Sequence, residues 1–321
     1  MGAYIIRRIL IALAMVVAAS MLSYGVMKLT PGTYFDQLRM DPRQVTMAER
    51  EIARHHLNEP AYVQYYYWFS GILHGDLGTS FKYQRPATDV VGGRIFNTLL
   101  MNLAAIFFTW TVAIPLGIYA AVHQYSRTDK LLSGLSFLGM SLPGFFLALL
   151  LLWIFAGILD VLPAGGLTSI DHDQMSVLGQ IGDYASHLVI PTIVLAFGGL
   201  ASLQRITRGN MLEVLRQQYV TTARAKGLPE QRVIYRHALR NAINPLITIF
   251  GYEFAALFSG AALLEIILNY PGLGNMMYEA IISKDEPLAM AGFMLGAVML
   301  LAGNLLADIL LAVADPRISY R

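Results

Sequence analysis

Long uncharged stretches alternate with polar segments along this chain, and they predict helices that cross a membrane. Residues 96–122 and 131–159 contain no Asp, Glu, Lys or Arg. Each can therefore cross a bilayer without the roughly 2.5 to 3.5 kcal/mol that a central charge costs. An apolar run from Ile9 to Leu29 is long enough for a hydrocarbon core of about 30 Å. We interpret it as an uncleaved first helix, because apolar residues continue past the weak cleavage signal Ala18-Ala-Ser20.

Three further spans complete the pattern. The fourth covers residues 188–203 and is expected to continue as a helix beyond Arg205. The fifth runs from about 242 to 264 and the sixth from about 288 to 314, and each carries one acidic residue, Glu253 and Asp308 respectively. The pattern predicts an all-α integral membrane protein with six transmembrane helices.

Basic residues are segregated by loop, and this gives the expected orientation. Between the predicted spans four and five lie eight Lys and Arg against two Glu, whereas residues 160–187 carry four Asp and no Lys or Arg. Because short cytoplasmic loops are enriched in Lys and Arg, we expect both termini and this basic segment to be cytoplasmic. The eight cations are Arg205, Arg208, Arg216, Arg224, Lys226, Arg232, Arg236 and Arg240.

The expected topology divides the chain into three parts. A first transmembrane helix (1–30) precedes an external loop with short helices (31–95), and a core of five transmembrane helices follows (96–321). In the loop, Thr46-Met-Ala-Glu49 fits a capping box that would start a helix. Aromatic residues crowd the stretch from Tyr62 to Phe69, as is typical of a membrane interface. The loop is therefore either a surface that meets a partner or an interfacial anchor.

Composition supports a membrane protein and narrows its chemistry. Charged residues make up 14% of the chain and hydrophobic ones 56%, against roughly 25% charged in an average soluble domain. The net charge of +2 is small, so nucleic-acid binding is not expected. The chain lacks cysteine and the metal, nucleophile and phosphate-loop motifs of known enzymes, so it is not expected to be catalytic and any ATP must bind to another chain.

The basic segment at 205–241 is predicted to fold into two short helices joined by a corner. Gly227 can end the first helix in a left-handed conformation, and Pro229 suits the first turn of the second. Ala223 and Ala225 have little bulk, so another protein could approach the corner closely, with Arg224 and Lys226 offering charge at its rim. The alternative is that these cations only obey the positive-inside rule.

These residues resemble a known family. The stretch from Thr222 to Gly227, with Arg236-His-Ala-Leu-Arg-Asn-Ala242 after it, is similar to the coupling loop of ABC importer permeases of the dipeptide, oligopeptide and nickel class. Other matching passages occur in the same order along nearly the whole chain: Arg7-Arg-Ile-Leu10, His74-Gly-Asp-Leu-Gly78, Tyr270-Pro-Gly-Leu-Gly274 and Asp315-Pro-Arg-Ile318. Thr221, Thr222 and Ala223 replace the Glu-Ala-Ala of the broad importer signature, so the role of an acidic residue is lost here.

The resemblance implies a type I ABC importer permease in a bacterial cytoplasmic (inner) membrane. It implies four kinds of partner: the lipid bilayer, a second similar permease, two ATPase subunits that bind ATP and Mg²⁺, and an extracytoplasmic substrate-binding protein. Peptides are the expected substrate, with nickel chelates, oligosaccharides or other small solutes as alternatives. The implied ATPase-coupling residues are Thr222, Ala223, Arg224, Ala225, Lys226, Gly227, Leu228 and Pro229.

Two acidic residues are candidates for the transport pathway. Glu253 lies near the middle of the predicted span five, where a charge is costly unless it faces water, a pore or a partner. It either lines the pathway or forms a hydrogen bond at the interface between permeases. Glu265 precedes the Tyr270–Gly274 motif, where a structural role is the favoured alternative to substrate contact.

An ion-coupled secondary transporter or channel is the main competing function. Such carriers usually need several ionisable groups inside the membrane. Only Glu253 and Asp308 are candidates here, which favours the importer.

Overall fold

The computed structural model describes residues 2–29, 31–256 and 262–314. These residues form helices and turns, with an isolated β-bridge between Thr79 and Pro86. Wide π-helical turns follow α7 at Leu152–Ile158 and α10 at Val233–Ala238. The α-helices are α1 (Gly2–Lys28), α2 (Asp36–Arg39), α3 (Val45–Arg54), α4 (Ala61–Leu73), α5 (Ala87–Val122), α6 (Arg127–Ser141), α7 (Gly144–Leu151), α8 (Val177–Leu215), α9 (Gln218–Ala225), α10 (Glu230–Arg232), α11 (Leu239–Ala242), α12 (Asn244–Ala256), α13 (Ala262–Ile267), α14 (Leu273–Ile282) and α15 (Glu286–Ala314).

Four helices in the described ranges are long and apolar enough to cross a membrane, namely α1, α5, α8 and α15. Helices α5 and α8 contain 36 and 39 residues, about twice the 20 or so that a bilayer requires. Both begin earlier than their uncharged runs, because polar residues lie in their N-terminal parts, Asp89 in the first turn of α5 and Asp183 further along α8. An apolar stretch marks the part of a helix inside lipid and misses the part that projects beyond it.

The predicted third span at 131–159 is not one straight helix. Helices α6 and α7 meet at an angle of 103°, and together they count as at most one bent span. The break lies at Leu142 and Pro143, where Leu142 has extended backbone. From the sequence alone, a proline inside an uncharged run is expected to kink the helix. Because a proline disfavours helical geometry in the residue before it and lacks an N–H to donate, Pro143 here ends the helix completely. Pro115 and Pro191, by contrast, lie inside α5 and α8.

The prediction of an all-α chain is confirmed for the described residues, whereas the count of six spans stays a prediction. The predicted fifth span corresponds to α12 and α13, which are separated by residues 257–261 outside the described ranges. The side chain of Asp308 and the motif at 315–318 also lie outside the described part of the chain.

The segment between α1 and α5 is folded and is attached to α14 and α15. The pair Lys28 and Glu286 joins the end of α1 to the start of α15 at 2.6 Å. Asp285 accepts a hydrogen bond from Ser80 and another, at 2.9 Å, from the backbone N–H of Lys82. The segment also has a small core of its own, formed by Phe35, Ala48, Ile52 and Phe81.

The predicted capping box in this segment is wrong. Helix α3 begins at Val45 and follows Gln44, which makes no side-chain capping bond. Thr46 is thus already inside the helix, where its hydroxyl cannot reach the amide that a capping residue would satisfy. The predicted helix is nevertheless present, and it buries Ala48 and Ile52 without a side-chain cap.

Candidate functional site

The basic segment at 205–241 folds into two short helices with a sharp corner. Helix α8 ends at Leu215, and α9 begins three residues later at Gln218. Gly227 has φ +74°, the left-handed region that glycine adopts without strain. Pro229 is the residue just before α10. The predicted Gly and Pro corner is therefore present, with Pro229 one position earlier than expected.

One face of the corner is buried against the end of α8. Val220 and Val233 are fully buried and pack together with Ala223. Leu215 and Leu228 pack against this group. Because apolar contacts connect α9, the corner and α8, the corner is attached to the long helix and does not hang from it as a loose loop.

Burial corrects one expectation about the corner. Ala225 is exposed, as a close approach by another protein requires. Ala223 is only 6% exposed, because its methyl group faces Val220 and Val233 inside the chain. Its small size lets α9 pack against the following helix, and it does not present a free surface.

The helical stretch after the corner, which consists of α10, the π-helical turn Val233–Ala238 and α11, packs onto α5 and α8. Ile234, Ala238 and Ala242 form a buried cluster with residues of α5 and α8, including Met211. The amide of Asn241 also donates a hydrogen bond to the hydroxyl of Tyr219, at 2.9 Å. Val233 and Ile234 face inward here, whereas Arg232, Arg236 and Arg240 are exposed.

Arg224 and Lys226, the two cations at the rim of the corner, differ in whether they form an ion pair. Arg224 forms an ion pair with Glu230 across the corner, with a shortest distance of 2.7 Å. The hydrogen bonds from Arg224 hold the pKa of the Glu230 carboxyl below its usual value. Among the described residues Lys226 forms no ion pair and is exposed. Lys226 therefore offers more unneutralised charge to a partner than Arg224 does.

An ion pair that the sequence did not predict holds the end of α8 within this segment, before the corner. Asp129, near the start of α6, accepts hydrogen bonds from Nε and Nη2 of Arg208 at 2.6 and 2.8 Å. Its carboxylate also accepts from the backbone N–H of Tyr125. In the sequence, Arg208 is one of eight similar cations, and only the packing of α6 on α8 distinguishes it.

Glu253 lies at a cavity between long helices. The cavity measures about 200 Å³ and is lined by residues of α5, α8 and α12, including Asn102, Thr109 and Gly199. Nε1 of Trp110 donates a hydrogen bond to the Glu253 carboxylate at 2.5 Å. The carboxylate is therefore held at the edge of a space that has polar groups in its wall.

Glu265 is fully buried and organises the Tyr270–Gly274 turn. Its carboxylate accepts from the hydroxyl of Thr98 at 2.7 Å and from the backbone N–H of Asn275 at 2.9 Å. Asn275 is in the first turn of α14, where an anion is favourable because the helix N-terminus is partly positive. A methyl group on Gly272 would overlap this carboxylate. These contacts favour the structural alternative over substrate contact.

The basic segment at 205–241 and the long helices α8 and α15 fall within one matched region. The sequence profile of the family described as "Binding-protein-dependent transport system inner membrane component" matches residues 113–320. The chain belongs to this family. It is thus the permease of an ABC importer, a multi-pass protein of the inner membrane, and a secondary transporter or channel is not favoured.

The permease is similar to other transport proteins along its whole length. It is 39% identical to the oligopeptide transport system permease protein AppB of Bacillus subtilis, with 100% of both chains aligned. It is 34% identical to the oligopeptide permease protein OppB and 33% identical to the dipeptide permease protein DppB, both of Escherichia coli K12, over 99% of each chain.

A solved structure shares the fold of this permease. A chain of the inward-facing MetNI methionine ABC transporter superimposes with a TM-score of 0.55 at 15% identity. The match covers 70% of the permease and 96% of that chain. The two chains therefore share a fold over about 70% of the permease, and the remaining 30% or so lies outside the shared part.

Proposed function

We propose that this permease moves peptides across the inner membrane in an ATP-driven importer. A second permease, two ATPase subunits that bind ATP and Mg²⁺, and an extracytoplasmic substrate-binding protein complete the assembly. The proposal is supported by the full-length similarity to AppB, OppB and DppB, whose names give oligopeptide and dipeptide transport. The permease itself is not catalytic in this proposal, since ATP hydrolysis belongs to the ATPase subunits.

The segment from Thr222 to Pro229 is the proposed contact with an ATPase subunit. The observation that carries this assignment is the two-sided corner: its inner face packs on α8, and its outer face exposes Ala225 and Lys226. A push on the outer face moves α8 directly, because Val220 and Val233 transmit it through close contacts. In this proposal both chain termini and the corner are cytoplasmic, as the distribution of Lys and Arg indicates.

Reversing the charge of Lys226 tests the docking proposal. We expect Lys226→Glu to reduce the amount of ATPase that copurifies with the permease, and transport to fall with it. Lys130→Glu is the matched control, because Lys130 is also an exposed lysine on the proposed cytoplasmic side but lies on α6. Equal ATPase recovery from the two variants, with equal transport, would reject Lys226 as part of the docking surface.

Glu253 is the proposed pathway residue, with peptides that carry a cationic or amine group as the cargo it favours. Glu253→Gln keeps the length of the side chain and an acceptor for Trp110 but removes the charge. We expect transport of cationic peptides to fall relative to neutral peptides in reconstituted vesicles. Tyr252→Phe is the control, since Tyr252 is the exposed neighbour. An unchanged substrate range in Glu253→Gln would remove this assignment.

A further inference from the structure

Helix α4 exposes a stripe of large apolar side chains. Its 13 residues, AYVQYYYWFSGIL, contain no Asp, Glu, Lys or Arg. Tyr62, Tyr66, Phe69 and Leu73 recur at spacings of four, three and four residues, which places them on one helical face. Tyr62, Tyr66 and Leu73 are 76%, 68% and 72% exposed. This face has no partner among the described residues that would account for so much apolar surface.

The opposite face of α4 is fixed against α1. The hydroxyl of Tyr65 is 2.8 Å from that of Ser20, and the hydroxyl of Tyr24 donates to the Gln64 side chain at 3.2 Å. The rings of Tyr24 and Trp68 are stacked with centroids 6.3 Å apart. Helix α4 is therefore held at a defined height along the first transmembrane helix.

That height lies within the last turns of α1. Tyr24 and Ser20 precede Lys28, the last residue of α1, by four and eight positions, or about 6 and 12 Å along a helix axis. Lys28 pairs with Glu286 at the start of α15, so this ion pair marks the same end of two transmembrane helices. Interfacial helices bury their apolar face about 5–10 Å into the headgroup and acyl boundary, which matches the position of α4.

The neighbouring surfaces distinguish lipid from a water-facing protein partner. On α1, the residues Met21, Leu22 and Val26 beside the contact are 56%, 72% and 58% exposed, so the stripe continues a surface that a membrane protein gives to lipid. Helix α3 of the same segment instead exposes the charged residues Glu49 and Arg50. Charge is thus absent from α4 and present on the exposed face of α3.

We infer that α4 is an interfacial helix whose stripe of Tyr62, Tyr66, Phe69 and Leu73 contacts the lipid of one leaflet. The stripe faces the headgroup and acyl boundary, and the helix anchors the folded segment between α1 and α5 to the bilayer surface. Its assignment to the outer leaflet rests on the orientation given in the proposed function. The lipid contact itself does not depend on that orientation.

A fluorescent label can test this contact, because the permease contains no cysteine. Tyr66→Cys is labelled with bimane in the intact transporter, reconstituted in nanodiscs that contain lipids with nitroxide-labelled acyl chains. Leu22→Cys is the control for a lipid-facing site and Met47→Cys, which is 59% exposed on α3, is the control for a water-facing site. We expect nitroxide lipid to quench the label at 66 as strongly as the label at 22. We expect aqueous iodide to quench the label at 66 much less than the label at 47.

Three outcomes would overturn the inference. Quenching at 66 by iodide and not by lipid would place the stripe in water. Protection from both quenchers would assign it to a second protein subunit, and protection that appears only after the binding protein is added would assign it to that protein.

The side of the membrane is measured separately, from the reaction of Met47→Cys with a thiol reagent that cannot cross the membrane. Reaction only from the cytoplasmic side would reject the orientation and leave the lipid contact standing.

Discussion

Replacing Asp129 with Ala should abolish most transport and lower the unfolding temperature of the assembled importer. The substitution leaves the Arg208 guanidinium without its two hydrogen bonds in a site where the side chain is only 23% exposed. Removing one partner of a buried pair costs about 3 to 5 kcal/mol, and the partial exposure of Arg208 places the cost at the lower end. The start of α6 and the end of α8 also lose the ion pair that fixes them to each other close to the corner at Gly227–Pro229.

Thermal unfolding of the purified complex and transport in vesicles measure the two effects. Glu279→Ala is the matched control, because the pair of Lys82 and Glu279 is far more exposed, at 40% and 32%. An exposed pair contributes about 0 to 1 kcal/mol. Arg208→Lys keeps the charge and loses the two-pronged contact, so it should fall between the wild type and Asp129→Ala. Equal unfolding temperatures for Asp129→Ala and Glu279→Ala would contradict the role of this pair.

Gly272→Ala should strongly destabilise the permease. The added methyl group overlaps the buried carboxylate of Glu265, which must then leave Thr98 and the N–H of Asn275. Hydrogen bonds to a charged group contribute about 1.5 to 3 kcal/mol each. The expected result is a loss of about 3 kcal/mol or more, seen as a lower unfolding temperature.

Gly93→Ala is the control for this substitution. Gly93 lies inside α5, and an added Cβ there meets nothing within 4 Å. Alanine inside a helix is favoured over glycine by roughly 0.5 to 1 kcal/mol, so Gly93→Ala should leave stability unchanged or raise it. If both alanine variants unfolded at the same temperature as the wild type, the packing of Glu265 against Gly272 would be refuted.

The sequence predicted those features that depend on local pattern. Uncharged runs located the long helices, and Gly227 with Pro229 located the corner, because backbone conformation at these residues is limited by their own chemistry. The same local reasoning could not tell a kink from a break at Pro143, since that depends on what α6 and α7 pack against. It also began α5 and α8 too late, because polar residues extend each helix at its N-terminal end.

The features that were missed depend on contacts between residues far apart in the chain. Arg208 and Asp129 are 79 positions apart, and nothing in the basic segment separates Arg208 from the other cations. Ala223 was expected at the surface because alanine is small, whereas it is buried because its small size allows two helices to meet. Each of these residues can be assigned only once the neighbours that face it are known.

The structure connects the proposed motor contact to the proposed pathway through α8. The corner at Gly227–Pro229 packs on the end of α8, and the pair of Asp129 and Arg208 fixes α8 to α6. Residues in the middle of α8 line the cavity at Glu253. Displacement of the corner would therefore reach the cavity through one continuous helix. For ATP hydrolysis to drive such a displacement, an ATPase subunit must bind at the corner.

Photo-cross-linking from the corner tests that claim most directly. A benzophenone attached to Ala225→Cys, in a chain with no other cysteine, is irradiated in the assembled transporter and the products are identified by mass spectrometry. The account predicts a product with an ATPase subunit from position 225 and none from the same probe at Lys130→Cys. A probe at 225 that reacts only with lipid or with another permease subunit would contradict it.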